Sequence, residues 1–489
     1  METNASAGQM VNFRRSLLIT FFSTTTATIA QFLTSLVLAR MLSPSEIGVF
    51  SMTAVLVAIA GIFRDFGVST FLQREIELTP EKIRAAMGVM FTTSWLLGAV
   101  LYAASPFAAA WFKEPAIKPV MQVLALGFVF IPFGSITHSL LTRQFAAGKE
   151  TYVTFIGTSS YCISCLIMAW AGFGVMSLAW ANLINIIACV IAYIPLRPKD
   201  VPWLPSLRGW GRILHFSVGS LATNCANAFN NALPDLLLGK LGSAYLVGLF
   251  SRANSTVTIF NYISGPTVNY GAVARISQAH YRGESLELLL GRNIALLTGI
   301  GWPILAVTGI MGGDIVAALY GPKWVEAVPA IPALVIAAAV LLMFNYTAPA
   351  LTAVGRPFLC AIPTLATILA RVALGIYFFN GTLLQFSWAV CLATVLTTPI
   401  LIYQNKHYLG FSFASLYRSV CRSALVALLC AITGLILHSV LNVKMLPINK
   451  LLLASLPLTL VWYAGLRLTS HPLVNEVDNA LRSLYKRVF

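Results

Sequence analysis

The sequence predicts an all-α polytopic membrane protein of about 14 transmembrane helices. These form two parallel-repeated six-helix lobes around a central cavity, with two more helices at the C-terminal end. Three observations carry that prediction. Hydrophobic residues make up 58% of the 489 and charged residues only 10%, where a soluble domain carries about a quarter. The apolar residues gather into stretches near the roughly 20 residues that a bilayer core requires. Finally, short motifs of the first half return in the second at a nearly constant offset.

In chain order, the apolar stretches lie at 13–39, 49–71, 85–107, 120–141, 152–172, 174–195, 213–238, 247–273, 290–312, 330–351, 358–379, 383–403, 420–439 and 448–468. Met1 to Asn12 is polar, and the stretch after it is too long for a signal-peptide core, so the first helix is expected to remain as an anchor. Ala171-Gly172-Phe173-Gly174 and Asn380-Gly381 read as tight turns between neighbouring spans. The run from Leu334 to Phe344 is continuously apolar, which fits helices and not the alternating strands of a membrane barrel.

The basic residues set the orientation. With the N-terminus inside, the inner segments hold 22 Lys and Arg, and the outer segments hold seven: Arg40, Lys113, Lys118, Lys240, Lys323, Lys444 and Lys450. That bias follows the positive-inside rule and puts both termini in the cytoplasm. The net charge of +16 is therefore mostly topogenic and suits contact with anionic phospholipids. No loop is long enough for a basic nucleic-acid-binding domain or for an ATPase domain, and there is no Walker loop. Any energy must come from a gradient or from another protein.

Leu42-Ser43-Pro44-Ser45-Glu46-Ile47-Gly48-Val49-Phe50 is echoed by Leu241-Gly242-Ser243-Ala244-Tyr245-Leu246-Val247-Gly248-Leu249-Phe250. Ala109-Ala110-Trp111-Phe112 is echoed by Ala317-Ala318-Leu319-Tyr320, and Leu141-Thr142-Arg143 by Leu351-Thr352-Ala353. The expected organisation is an N-terminal lobe at 1–196, a cytoplasmic linker at 197–212, a C-terminal lobe at 213–403, and two appended spans with a basic tail at 404–489. An even-numbered repeat of this kind runs parallel, about an axis along the membrane normal.

The chain resembles bacterial polysaccharide flippases, the polysaccharide transporter branch of the multidrug/oligosaccharidyl-lipid/polysaccharide exporter superfamily. The resemblance lies in Ala39 to Phe50, in Arg64-Asp65-Phe66-Gly67-Val68-Ser69-Thr70 and in Leu140-Leu141-Thr142-Arg143-Gln144-Phe145. It continues in Gly248-Leu249-Phe250-Ser251-Arg252-Ala253 and Gly321-Pro322-Lys323-Trp324. It implies a two-lobed transporter of the cell inner membrane that moves undecaprenyl-diphosphate-linked sugar repeat units to the periplasmic leaflet. These units feed exopolysaccharide, capsule or O-antigen synthesis, with a polysaccharide polymerase and a chain-length regulator as expected partners. It also implies a cationic cavity, though no arginine is matched one by one.

An anionic lipid diphosphate crossing apolar protein needs compensating charge, and a basic residue inside a span is costly unless it serves a purpose. Arg64, Arg252 and Arg371 lie within spans, and Arg275 closes the eighth on its inner side. Each has a plainer reading: pairing with Asp65 for Arg64, snorkelling for Arg252, the outer face of the bundle for Arg371 and topogenic use for Arg275. In the seventh span Asn224, Asn227, Asn231 and Asp235 share one helical face, suited to sugar hydroxyls or to bonds between helices. Asp235, with Arg252 or Lys240 as partner, and Asp65 are candidates for a gate or for coupling to a proton or sodium gradient. Pro132, Pro234, Pro266, Pro303, Pro349 and Pro363 offer bends. Cys162 and Cys165 sit in an apolar span and, with the other six cysteines, read as small buried hydrophobes. No metal cluster, catalytic constellation or cofactor motif is expected. A cation-coupled drug antiporter and a membrane polysaccharide polymerase or ligase are the alternatives.

Overall fold

The computed structural model describes the backbone of residues 2–65, 67–75, 77–144, 146–199, 201–202, 204–206, 209–259, 272–441 and 445–488. The described chain is helical, and it divides into two compact units, Met1–Gly248 and Leu249–Phe489.

The first unit contains α1 (Glu2–Met41), α2 (Pro44–Asp65), α3 (Val68–Arg74), α4 (Pro80–Phe112), α5 (Ile117–Arg143), α6 (Ala147–Trp170), α7 (Met176–Tyr193), α8 (Trp210–Leu241) and the first turn of α9 (Ala244–Val257). Local chemistry sets the ends. Ser43 and Glu46 form a capping box: the Ser43 N–H donates to Glu46 Oε2 at 2.7 Å and the Glu46 N–H to Ser43 Oγ at 3.3 Å. Thr79 caps α4 by accepting from the Lys82 N–H, with Pro80 in the first turn. Gly172 and Gly174 take positive φ in the α6–α7 turn, as the sequence predicts.

Gly48 and Gly248 show why the echoed motif needs glycine. A Cβ on Gly48 would lie 1.7 Å from the Ala244 carbonyl oxygen, and one on Gly248 would lie 1.9 Å from the Pro44 carbonyl oxygen. The N-terminal turns of α2 and α9 thus cross backbone to backbone, and each contact pairs residues of the two echoes reciprocally. The cap recurs as well, since Ser243 Oγ accepts from the Leu246 N–H at 3.4 Å.

Linker residues 204–206 lie on α4. The Ser206 N–H donates to the Arg84 carbonyl at 2.8 Å, and Arg84 Nε donates to the Leu204 carbonyl at 3.2 Å. An apolar core of Val68, Leu72, Ile83, Met87, Met90, Ile136 and Val201 lies nearby.

The second unit holds the rest of α9, α10 (Ala272–Tyr281), α11 (Leu286–Leu319), a 3-10 segment (Pro322–Ala330), α12 (Ile331–Met343), α13 (Thr347–Ala353), α14 (Ala361–Phe378), α15 (Leu383–Leu409), α16 (Phe413–Val440), α17 (Pro447–Leu468) and α18 (Leu473–Val488). α11 is the hub and packs on α12, α16 and α17. It departs from helical geometry at Met311, two turns after Pro303. The appended helices are fastened to it. Trp462 Nε1 donates to the Gly299 carbonyl at 2.9 Å, and Ser423 Oγ lies between Thr298 Oγ1 at 2.9 Å and His471 Nε2 at 3.0 Å. Gly381 has positive φ in the α14–α15 turn, again as predicted.

Two expectations change, and the span count is met in part. Twelve of the described helices are long and apolar enough to span a bilayer, against about 14 from the sequence. α8 is about 48 Å long at 1.5 Å per residue, but its amides and charges keep it outside that set. Much of the predicted eighth span, 260–271, lies outside the described residues. The second span ends at Asp65, where a turn through Gly67 at φ 69° leads into the separate α3. And α1 continues as helix into the polar start of the chain.

Candidate functional site

In the first unit, Arg64 sits in the last turn of α2, half-buried, with its guanidinium 5.5 Å from the centre of the Phe128 ring on α5. Its backbone carbonyl accepts from Thr93 Oγ1 of α4 at 2.8 Å, so three helices fix this turn. Asp65 accepts from Ser69 Oγ at 2.7 Å and thereby joins α2 to the first turn of α3.

α8 places the amide stripe. It packs on α2, α3 and α4 and buries Ala232, Leu233, Pro234 and Leu238. Asn227 and Asn231 lie exposed, so they do not serve as glue to those helices. An exposed amide pair on a long helix of a membrane protein needs a polar surrounding, because lipid offers no hydrogen bond. The side chain of Asn224 lies outside the described residues. Asp235 hydrogen-bonds Ser51 of α2. The expected Asp235–Lys240 pair does not form: Lys240 Nζ donates to the Trp111 carbonyl at 3.0 Å and lies 3.9 Å from that ring's centre. The nearby electron-rich ring and carbonyl hold the ammonium in place.

In the second unit, Arg252 does not snorkel freely. Its guanidinium lies 5.6 Å from the Tyr320 ring centre and 5.7 Å from that of Trp324, and both rings are fully buried. This joins the echoed Gly248–Ala253 run to the Gly321–Trp324 run through a cation–π contact. Arg371 is half-buried at the middle of α14. Arg275 is exposed on α10, and the chain just before that helix, 260–271, lies outside the described residues. The structure thus keeps Arg64 and Asp235 in one unit and Arg252, Arg275 and Arg371 in the other.

Two polar clusters escaped the sequence reading. Glu150 of α6 meets His138 of α5 and Tyr193 of α7. Asp314 of α11 meets His438 of α16 at 3.2 Å and Lys450 of α17 at 3.4 Å. The usable signal was the scarcity of acid itself, because Glu150 and Asp314 lie at or inside spans in a chain with only 16 acidic residues. Among the described residues no group of three His, Cys, Asp or Glu side chains is arranged for a metal ion. All eight cysteines are free, and only Cys165, Cys391 and Cys430 are fully buried, so the other five correct the reading of a uniformly buried set.

A family model described as "Polysaccharide biosynthesis protein" matches residues 37–329. The teichuronic acid biosynthesis protein TuaB of Bacillus subtilis is 22% identical over 421 residues, covering 83% of this chain and 85% of its own. The fold resembles that of the lipid II flippase MurJ in an inward closed conformation, with TM-score 0.72, 13% identity and coverage of 92% of this chain and 98% of that one. It also resembles an inward-facing multidrug resistance MATE family transporter of the MOP superfamily, with TM-score 0.65, 13% identity and coverage of 82% and 99%.

Proposed function

The chain belongs to the polysaccharide biosynthesis protein family of the MOP transporter superfamily, and on that premise we propose that it is a flippase for undecaprenyl-diphosphate-linked oligosaccharide repeat units, carrying them from the cytoplasmic to the periplasmic leaflet. Family membership carries the reading. The relative TuaB is named for teichuronic acid biosynthesis and MurJ for flipping lipid II, which supports a lipid-linked glycan as cargo. Arg64 and Arg371, held half-buried in helices of a chain with 10% charged residues, supply positive charge for a diphosphate. The exposed Asn227 and Asn231 supply donors and acceptors for sugar hydroxyls.

In this reading the full span count is 14, with α8 and the apolar stretch that the sequence places at 247–273 added to the 12 apolar helices of the described residues. The repeat units are 1–196 and 213–403, joined by 197–212 and followed by 404–489, and the reciprocal Gly48–Gly248 crossing supports such a parallel repeat. Both termini face the cytoplasm, as the distribution of Lys and Arg favours. The two lobes alternate access. The diphosphate enters the cationic interior, the sugars follow the amide face, and the polyprenyl tail stays in lipid. No covalent bond changes, so the protein stabilises a path and not a chemical transition state. A polymerase and a chain-length regulator act downstream.

The test is a deletion strain in which the sidedness of lipid-linked intermediates is read with an impermeant sugar probe. Repeat units trapped in the cytoplasmic leaflet are expected. Units that reach the outer leaflet but stay unpolymerised would instead indicate a polymerase. Unchanged glycan intermediates would favour a drug antiporter.

A further inference from the structure

Glu150 takes two hydrogen bonds at one oxygen and none at the other. Its Oε2 lies 2.9 Å from His138 Nδ1 and accepts from the Tyr193 hydroxyl at 2.9 Å, and those two partners are 3.1 Å apart. Its Oε1 is buried and has no hydrogen-bond partner among the described residues. A buried carboxylate oxygen left unfilled is costly while the group is charged. The His138 side chain is 50% exposed and that of Glu150 20%, so the imidazole is the outer end of the cluster and the carboxylate the inner end. Three titratable groups from α5, α6 and α7 therefore share one proton position at the end of the unit where α5 finishes and α6 begins.

Of the surrounding charges, Asp65 lies within electrostatic reach of His138, and most of the others bond elsewhere. On α5, Arg143 donates to the Leu72 and Glu75 carbonyls at the end of α3. On α6, Lys149 is exposed. On α7, Cys189 lies toward Glu150 and bonds Asn185. On α2, Asp65 bonds Ser69 and Arg64 covers Phe128, while Lys82 and Arg84 of α4 bond Glu75 and the Leu204 carbonyl. The side chains of Arg14 and Arg15 on α1 and Arg74 on α3 lie outside the described residues. Hard metal cations take several oxygen ligands, whereas this cluster offers one free oxygen and an imidazole, which suits a proton.

We propose that His138, Glu150 and Tyr193 form the proton-binding site through which a transmembrane proton gradient drives transport. The transport half of this statement rests on the flippase reading; the proton binding does not. Uptake of a proton changes the charge of the cluster and with it the tie between α5, α6 and α7. Release restores it.

The test uses the full chain in liposomes, with a fluorescent undecaprenyl-diphosphate oligosaccharide and an imposed pH gradient. Infrared difference spectra between acidic and alkaline buffer are recorded on the same samples. The gradient is expected to accelerate flipping by wild type, and the spectra to show a protonated carboxyl band. Glu150→Gln is expected to lose both. His138→Gln is a second variant expected to lose the acceleration, in case the first does not fold. Asn185→Ala breaks the α6–α7 bond to the Gly157 carbonyl and the Cys189 contact but leaves His138, Glu150 and Tyr193 in place, and is expected to keep the acceleration. A full gradient response in folded Glu150→Gln, or the same carboxyl band in that variant, would overturn the proposal, as would a wild type that shows neither signal. A carboxyl band lost in Glu150→Gln without any glycan flipping in wild type would keep the proton site and sink the flippase reading.

Discussion

Arg371 is the deepest candidate for contact with the diphosphate, because it stands at the middle of α14 and not in a terminal turn. Losing one charge-assisted hydrogen bond removes about 1.5–3 kcal/mol, so Arg371→Ala is expected to slow flipping by roughly 10- to 100-fold at normal membrane abundance. Unchanged flipping would place Arg371 outside the path. Gly48 gives a test of packing alone. Gly48→Val drives a side chain into the Ala244 carbonyl, and the loss of folded protein is expected to match a core overpacking defect of about 1–3 kcal/mol or more. Gly61→Ala, with open space around it, should be neutral. Thermal unfolding in detergent reads both. His471 is buried, accepts from the Leu473 N–H at Nδ1 and has its Nε2 on Ser423. Burial first, and then the Arg422 charge, pushes its pKa down from 6.5 to about 4. Between those values the unfolded chain binds the extra proton, so the stabilisation from neutral His471 is whole above pH 6.5 and is lost as pH falls toward about 4. His471→Asn should flatten the melting-temperature profile in that window; an unchanged slope would show that another group controls it.

At the scale of elements, α16 and α17 are clamped to α11 near both ends. Asp314 and Lys450 are 12% and 9% exposed in their side chains, whereas His438 is 50% exposed. Removing one partner of a buried ion pair strands the other, so Asp314→Asn is expected to cost about 3–5 kcal/mol in unfolding free energy. His438→Gln should cost less than about 1 kcal/mol, as for exposed pairs. Equal effects from the two would mean that the buried pair is not what holds α17. Arg143 illustrates the same logic without an acid. Its guanidinium meets the last carbonyls of α3, which is where a helix terminus attracts a cation. A residue read on the sequence as topogenic is thus also a helix cap.

For the whole molecule, sidedness is the decisive quantity. In the proposed orientation, which the 22-to-7 bias of Lys and Arg favours, the C-terminal end lies inside and the α8–α9 turn outside. A fluorescent protein fused after Phe489 should fluoresce, and alkaline phosphatase fused there should be inactive. An impermeant maleimide should label Ser243→Cys in a cysteine-free background of intact cells. The opposite pattern would invert the proposed direction of transport.

Membrane solvation explains which features the sequence by itself determined. Lipid satisfies no backbone polar group, so each spanning stretch must be helical and about 20 residues long, and composition reveals it one segment at a time. The tight turns at Gly172, Gly174 and Gly381 were legible for the same reason: their positive φ is a local demand on residue type. The echo at Gly48 and Gly248 was legible as a pattern, but the cause of its glycines, two carbonyls closer than any Cβ allows, needed both helices in place. Tertiary structure alone decided the partners. Lys240 met Trp111 instead of Asp235, Arg252 met two aromatic rings, and His138, Glu150 and Tyr193 converged from positions 55 residues apart at the extremes. Such choices depend on the rotation and depth of neighbouring helices, which hydrophobicity leaves open because lipid accepts any apolar face equally.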